Sequence, residues 1–235
     1  MNQIEHIIDP ARLLLVWRAG HEKKSPSRRI VAEIVRPTPT ESPKLRYLVD
    51  TNDYEHAIVD GFIGYPAFPI KNQEYSSGVL DSFLRRLPPR KRDDFETYLR
   101  RHRLPSLTSL PDMALLAYTN AKLPSDAFEL FPDLTKARPP FELIIEVAGF
   151  RHQQNVSSED LYVGDPVTFK RDKDNSHDEN AVAIFHSGKR IGFVDRAQAP
   201  SFCSWFKNGF AVSGNIDRVN NQSGHPIIYI FVSVR

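Results

Sequence analysis

The sequence predicts two domains: an α+β N-terminal domain, made of a strand meander and short helices, followed by a small six-stranded β-barrel with one or two short helices. Three observations carry this expectation. Fifteen of the 18 prolines lie before Phe141, whereas seven of the 11 glycines lie after it, so the two halves use different turn chemistry. The apolar pattern before residue 140 changes from strand-like runs to helical spacing, and after it stays strand-like. Between them PDLTKARPP, at 132–140, carries three prolines and a charge cluster, the composition of a short stiff connector. The division is therefore 1–131, a linker at 132–140, and 141–235.

In the first domain, Leu13–Trp17, Ile30–Val35 and Leu45–Val49 are apolar runs separated by turn-rich segments such as RPTPTESP, which is the pattern of a meander. After Gly61 the spacing becomes helical. Val79, Leu80, Phe83, Leu84 and Leu87 follow Ser76 and Ser77 as caps, and Phe95, Tyr98, Leu99 and His102 form a second stretch beyond Pro88 and Pro89. A third helix is predicted over Pro111–Tyr118. In the second domain six strands are predicted: Leu143–Phe150, Pro166–Arg171, Asn180–Phe185, Arg190–Val194, Phe210–Val219 and Pro226–Val234. The last alternates, with Ile228, Ile230, Val232 and Val234 on one face and Ile227, Tyr229 and Phe231 on the other. One helix is expected around Arg196–Asn208, where Phe202, Cys203, Trp205 and Phe206 cluster and Cys203 reads as core.

Composition narrows the function. One cysteine excludes a disulfide scaffold or a cysteine-clustered zinc module. No run of about 18 apolar residues exists to span a bilayer, and MNQIEHIIDPAR lacks the layout of a secretory signal, so a cytoplasmic protein is expected. Residues 1–140 carry 21 basic against 18 acidic side chains and 141–235 carry 10 against 11, so neither half is a polyelectrolyte suited to coating duplex DNA. The strongest charge feature is Arg85–Arg103, with eight Lys or Arg against three acidic residues. It reads as a solvated helix face, or alternatively as a surface for phosphate or an acidic partner. His56 and His102 have no second ligand at metal-binding spacing. No cofactor is expected.

The chemistry concentrates in RDKDNSHDENAV at 171–182. As a calcium loop starting at Asp172 it fails, having Ser176 fifth, His177 where glycine belongs, and Ala183 twelfth. His177-Asp178 lacks the further ligands of a metal phosphohydrolase. A metal-assisted nuclease on Asp172, Asp174, Asp178 and Glu179 lacks a second cluster to supply a nucleophile or base. An Asx-rich turn whose side chains bond their own backbone is the structural alternative.

Taken with VAGFRHQQN at 147–155, LYVGDPVTFKRDKDNSHDENAVAI at 161–184 and GKRIGFVDRAQA at 188–199, this segment resembles a HIRAN domain. The resemblance implies a six-stranded OB-like barrel that holds the 3'-terminal nucleotides of single-stranded DNA. Carried over by motif position, it implies that Arg151 neutralises a backbone phosphate, that Asn175 and Asp178 floor an end pocket, and that Arg196 reaches the next phosphate, with Phe193 nearby. A carboxylate at Asp178 would accept a hydrogen bond from a terminal 3'-hydroxyl and repel a phosphate there. The chain departs from the family pattern where His152 and His177 take the stacking aromatic positions, Gln153 follows, and Asp174 replaces an Asn. Histidine contacts to DNA would strengthen as pH falls toward about 6.5.

In the first domain FIGYPAFP at 62–69, SFLRRLPPRKRDDFETYLRRHRL at 82–104 and AKLPSDAFELF at 121–131 resemble the N-terminal subdomain of HipA-type kinases. That likeness implies a protein partner, since no glycine-rich phosphate loop can be written from this chain. The leading expectation is a non-enzymatic binder of DNA 3'-hydroxyl ends or single strands, the N-terminal domain giving basic contacts or a partner surface. The alternative is a regulatory protein-interaction factor, for example toward a HipA-like toxin kinase, that has lost DNA binding.

Overall fold

The computed structural model describes residues 2–20, 27–106, 110–176, 178–220 and 226–235. Contacts divide the chain into two units: Asp9–Leu99 with Ser106–Asp133, and Met1–Ile8, Arg100–Pro105 and Leu134–Arg235. The second unit thus takes in two short pieces of the N-terminal half besides the C-terminal run.

The first unit opens with β1 (Arg12–Ala19), β2 (Ser27–Val35) and β3 (Lys44–Tyr47), the predicted meander, paired antiparallel in succession. Then come α1 (Asn52–Val59) and the short strands β4 (Gly64–Tyr65), β5 (Phe68–Pro69) and β6 (Glu74–Tyr75). After them run α2 (Val79–Leu84), α3 (Phe95–Arg101), α4 (Asp112–Thr119) and β7 (Phe128–Pro132). The sheet order is β6-β3-β2-β1-β7. With strands on both sides, β1 can bury the consecutive residues Leu13 to Val16, a continuous apolar run rather than an alternating one. Glu33 of β2 is buried too, and its carboxylate accepts from Arg12 Nε at 2.6 Å and Arg46 Nε at 2.7 Å. Helix α1 escapes the hydrophobic pattern because Ile58 and Val59 face outward while only Asp53, Tyr54 and Ala57 are buried. Thr51 caps it, accepting from Tyr54 N at 3.3 Å.

The basic run is not one surface. Arg86 is buried: its guanidinium grips both Asp126 oxygens at 2.5 and 2.8 Å and donates to the carbonyls of Ala121 and Phe128. Arg90 donates to Leu110 O and to Asp112, and Arg92 pairs with Asp94. In the second unit Arg103 donates to the buried Asp217 at 2.7 Å. At least four of the eight charges are therefore paired with carboxylates, which corrects the picture of a uniform solvated or phosphate-binding face.

The second unit has β8 (Phe141–Glu146), β9 (Pro166–Arg171), β10 (Val182–His186), β11 (Lys189–Phe193), α5 (Ala199–Lys207), β12 (Val212–Asn220) and β13 (Ile227–Val234). All six predicted strands are present, in one antiparallel sheet ordered β11-β10-β9-β12-β13-β8. On β13 the alternation holds: Ile228, Ile230, Val232 and Val234 are fully buried. Helix α5 lays Phe202 and Trp205 into the core, with Trp205 edge-on to Phe141 at 5.1 Å. Burial of a Phe-sized side chain stabilises by about 1.5–3 kcal/mol. Within the proline-rich stretch, the Leu134 carbonyl accepts from Trp205 Nε1 at 2.9 Å and Leu134 N donates to Ser201 Oγ at 3.1 Å. The buried Glu142 accepts from the backbone N–H groups of Glu5 and His6, from His6 Nδ1 and from Arg235, fastening the N-terminal segment to β8.

The barrel expectation needs correction. The sheet is not closed: its edge strands β8 and β11 form no ladder, and the chain just past β8 meets β11 at one isolated bridge, Ala148 with Phe193. Predicted strand 143–150 stops at Glu146, because Gly149 (φ 75) turns the chain into the 3-10 turn Phe150–His152.

Candidate nucleic-acid interface

Three segments of the second unit converge near the open edge: the turn 149–155, the loop 172–181 between β9 and β10, and strand β11. The bridge brings the first against the third. Ala148 N donates to Phe193 O at 2.8 Å and Phe193 N returns to Ala148 O at 2.9 Å. Gly192 permits this approach: with φ of 147°, a Cβ there would lie 2.5 Å from the Ala148 oxygen and 2.6 Å from Val147 Cγ1.

The acidic-amide loop is closed at its base, where Asp172 N donates to Ala181 O at 2.8 Å beside the strand pair Arg171 and Val182. Inside it the side chains do bond backbone, as the Asx-turn reading anticipates. Asn175 Oδ1 accepts from Asp178 N at 3.1 Å, Asn175 Nδ2 donates to Asp172 Oδ2 at 3.3 Å, and Asp178 Oδ1 accepts from Asn180 N at 2.9 Å. These bonds fix the carboxylate of half-buried Asp178 by one oxygen. Among the described residues its other oxygen, Oδ2, accepts no hydrogen bond. The same turn chemistry that explains the residues structurally thus holds a carboxylate with a vacant acceptor. Asn175, by contrast, spends both side-chain ends on the loop. Asp174 is exposed, and His177 lies outside the described residues.

Behind the loop stands Cys203 of α5, whose thiol donates to Asn180 O at 3.4 Å. It is half-buried instead of core, because α5 turns Phe202 and Trp205 inward and leaves Cys203 facing the loop. Burial pushes its pKa up; Asp178 adds to that and Arg171 opposes it, so the thiol is poorly suited to act as a nucleophile.

On the first segment Phe150 is buried as an anchor while Arg151 and His152 are exposed. Arg151 Nε donates to His152 Nε2 at 3.1 Å, which places the imidazole proton on Nδ1 in this arrangement. Phe193 is partly exposed on β11. Arg196 is exposed on the turn before α5, which leaves β11 where Val194 N donates to Val182 O at 2.9 Å, at the loop's exit. The side chain that joins the three segments is Arg190, which sequence reasoning missed. Its Nε donates to Gln153 Oε1 at 3.3 Å, its Nη1 lies 3.9 Å from Asp172 Oδ2, and its guanidinium stands 5.0 Å from the Phe193 ring centroid. The only signal available was an arginine two residues before the glycine of GKRIGFV. Among the described residues no group of three or more His, Cys, Asp or Glu is placed to hold a metal ion.

Fold and edge define an antiparallel-sheet unit with two polar loops beside an edge strand. Residues 140–233 match the family model of the HIRAN domain. Solved structures similar to it include a protein from Lactobacillus plantarum, at 20% identity and TM-score 0.34, covering 39% of this chain and 92% of that one. Another is the HIRAN domain of human HLTF, at 18% identity and TM-score 0.32, covering 40% of this chain and 74% of that one. No curated protein matches the chain. The family match does not extend to residues 62–131, and the likeness of that region to the HipA-type subdomain has no support.

Proposed function

We propose that the HIRAN domain of this protein binds the free 3' end of a single DNA strand without performing chemistry on it. Binding DNA 3' ends or single strands is what the HIRAN domain is known for, and the match at 140–233 supports carrying it here. The observation that carries the finer reading is the half-buried Asp178 carboxylate, braced through Oδ1 with Oδ2 left to accept. A 3'-hydroxyl donating to Oδ2 makes a charge-assisted hydrogen bond, worth about 1.5–3 kcal/mol. A 3'-phosphate there meets like charge, at a cost between about 1 and 4 kcal/mol per unit charge at 4 Å as the effective dielectric falls from water's to that of a protein surface. Arg151 and Arg196, both exposed, would supply phosphate contacts, and partly exposed Phe193 a face for a base, where stacking is worth about 1–3 kcal/mol.

The test is a fluorescence titration of oligonucleotides identical except for a 3'-hydroxyl or a 3'-phosphate. The hydroxyl form should bind at least about tenfold tighter, since either term alone amounts to roughly that factor. Asp178→Ala should abolish the difference. Equal affinities in the unsubstituted protein would reject the end pocket.

A further inference from the structure

The β10–β11 hairpin turns through Ser187 (φ 48) and Gly188 (φ 75) and presents Lys189 and Arg190 side by side in sequence at the start of β11. With Gln153, Gln154 and Phe185 they line a recess of about 400 Å³, within the roughly 300–1,000 Å³ range of small-ligand sites. The Arg190 side chain is 47% exposed, and its one carboxylate neighbour, Asp172, stays 3.9 Å away. Gln153 engages only Nε, so Nη2 of Arg190 has no protein partner among the described residues, and neither has the Lys189 ammonium. Two cations, unsaturated amides and an aromatic edge are the chemistry of a phosphodiester with its sugar. Asp172 opposes an incoming phosphate, but it already accepts from Asn175 Nδ2. The recess adjoins the end pocket through Arg190 itself, which touches both loops.

The geometry points to a second phosphate subsite: Lys189 and Arg190 hold the phosphodiester of a nucleotide upstream of the one whose 3'-hydroxyl reaches Asp178. This rests on the strand-end reading above and extends it from a terminal pocket to a track that follows the strand over the hairpin.

The experiment compares a 3'-hydroxyl dinucleotide and an octanucleotide, on the full chain and on a Lys189→Gln variant. Lys189 is exposed and its ammonium has no protein partner among the described residues, so the variant's thermal midpoint should match the parent's. The variant should bind the dinucleotide within about twofold of the parent protein and the octanucleotide at least about tenfold more weakly, the loss of a charge-assisted contact. Its log-affinity against log-salt slope for the octanucleotide should be shallower by about 0.7, the value for one phosphate no longer neutralised on a single strand. Arg190→Lys should keep the slope. Equal loss on both lengths overturns the subsite and makes Lys189 a contact of the end pocket; no loss on either means that the recess takes no phosphate. If the parent protein shows no 3'-hydroxyl preference yet the variant still flattens the slope, the end pocket fails and the subsite stands. No preference and an unchanged slope reject both.

Discussion

Replacing Gly192 by alanine probes the joint between the chain at Ala148 and β11. The new Cβ would sit 2.5 Å from the Ala148 oxygen and 2.6 Å from Val147 Cγ1, and the first of these is backbone that cannot swing aside. The residue would also have to keep φ at 147°, which L side chains rarely adopt, at a cost of about 1–3 kcal/mol. Relieving the overlap by moving the strands apart breaks the Ala148–Phe193 bridge and its two hydrogen bonds, each worth about 0.5–1.5 kcal/mol net. These costs overlap, so the expected destabilisation is about 2–5 kcal/mol, read from the midpoint of urea unfolding followed by Trp205 fluorescence. Without the bridge Phe193 no longer stands beside the turn that carries Arg151. At denaturant-free conditions where the variant remains folded, affinity for a 3'-hydroxyl strand should fall at least about tenfold, one to two kcal/mol of lost contact. A variant within about 0.5 kcal/mol of the parent, with unchanged affinity, would refute the claim that this approach builds the site.

Other perturbations separate the loop, the basic run and the buried charges. Asn175→Ala removes the acceptor for Asp178 N and the donor to Asp172; it should cost about 1 kcal/mol of stability and weaken 3'-hydroxyl discrimination though Asp178 is retained, as titration with the two oligonucleotide forms will show. Arg86→Ala should destabilise by about 1–3 kcal/mol in urea unfolding, since it leaves the Ala121 and Phe128 carbonyls and the part-buried Asp126 without their donor, while Lys91→Ala leaves both stability and DNA affinity unchanged. Burial alone would raise the Glu142 pKa, but the His6 N–H, Arg235 and the His6 ring outweigh it and hold it below the ordinary carboxylate value. That stabilisation is present above the unfolded value and is lost as pH falls through the folded one, so melts from pH 6 to pH 3 should drop less steeply for Glu142→Gln. His102 runs the other way in charge: burial first, then Arg218 and Arg101, lower its pKa to about 4. Unfolded chains take up that proton first, so stability should decline from about pH 6.5 toward 4, and His102→Gln should remove the part of the decline that lies above the carboxylate range.

What could be read from the sequence was what lies close along the chain. The alternation of Ile227–Val234 announced β13 and its buried face, and the Phe202–Trp205 cluster announced α5. The Asx-rich loop also announced itself as an Asx turn, and its internal bonds have that form. The rest depends on partners far away in sequence. Sheet closure turned on how one glycine meets residue 148, which no periodicity encodes, and the edge strands share a bridge where a ladder was expected. Arg86 and Arg103 looked like members of a surface run because Asp126 and Asp217, which claim them, lie 40 and 114 positions away. Arg190 looked like an ordinary strand charge, since its partner Gln153 is 37 residues upstream.

The most direct measurement sets a linear single strand against a covalently closed circle of the same sequence as competitors for a labelled 3'-hydroxyl oligonucleotide. Capture of a terminal sugar by Asp178 predicts that the linear strand displaces the probe while the circle, at equal nucleotide concentration, leaves it bound. Displacement by both to the same extent would contradict recognition of a free end.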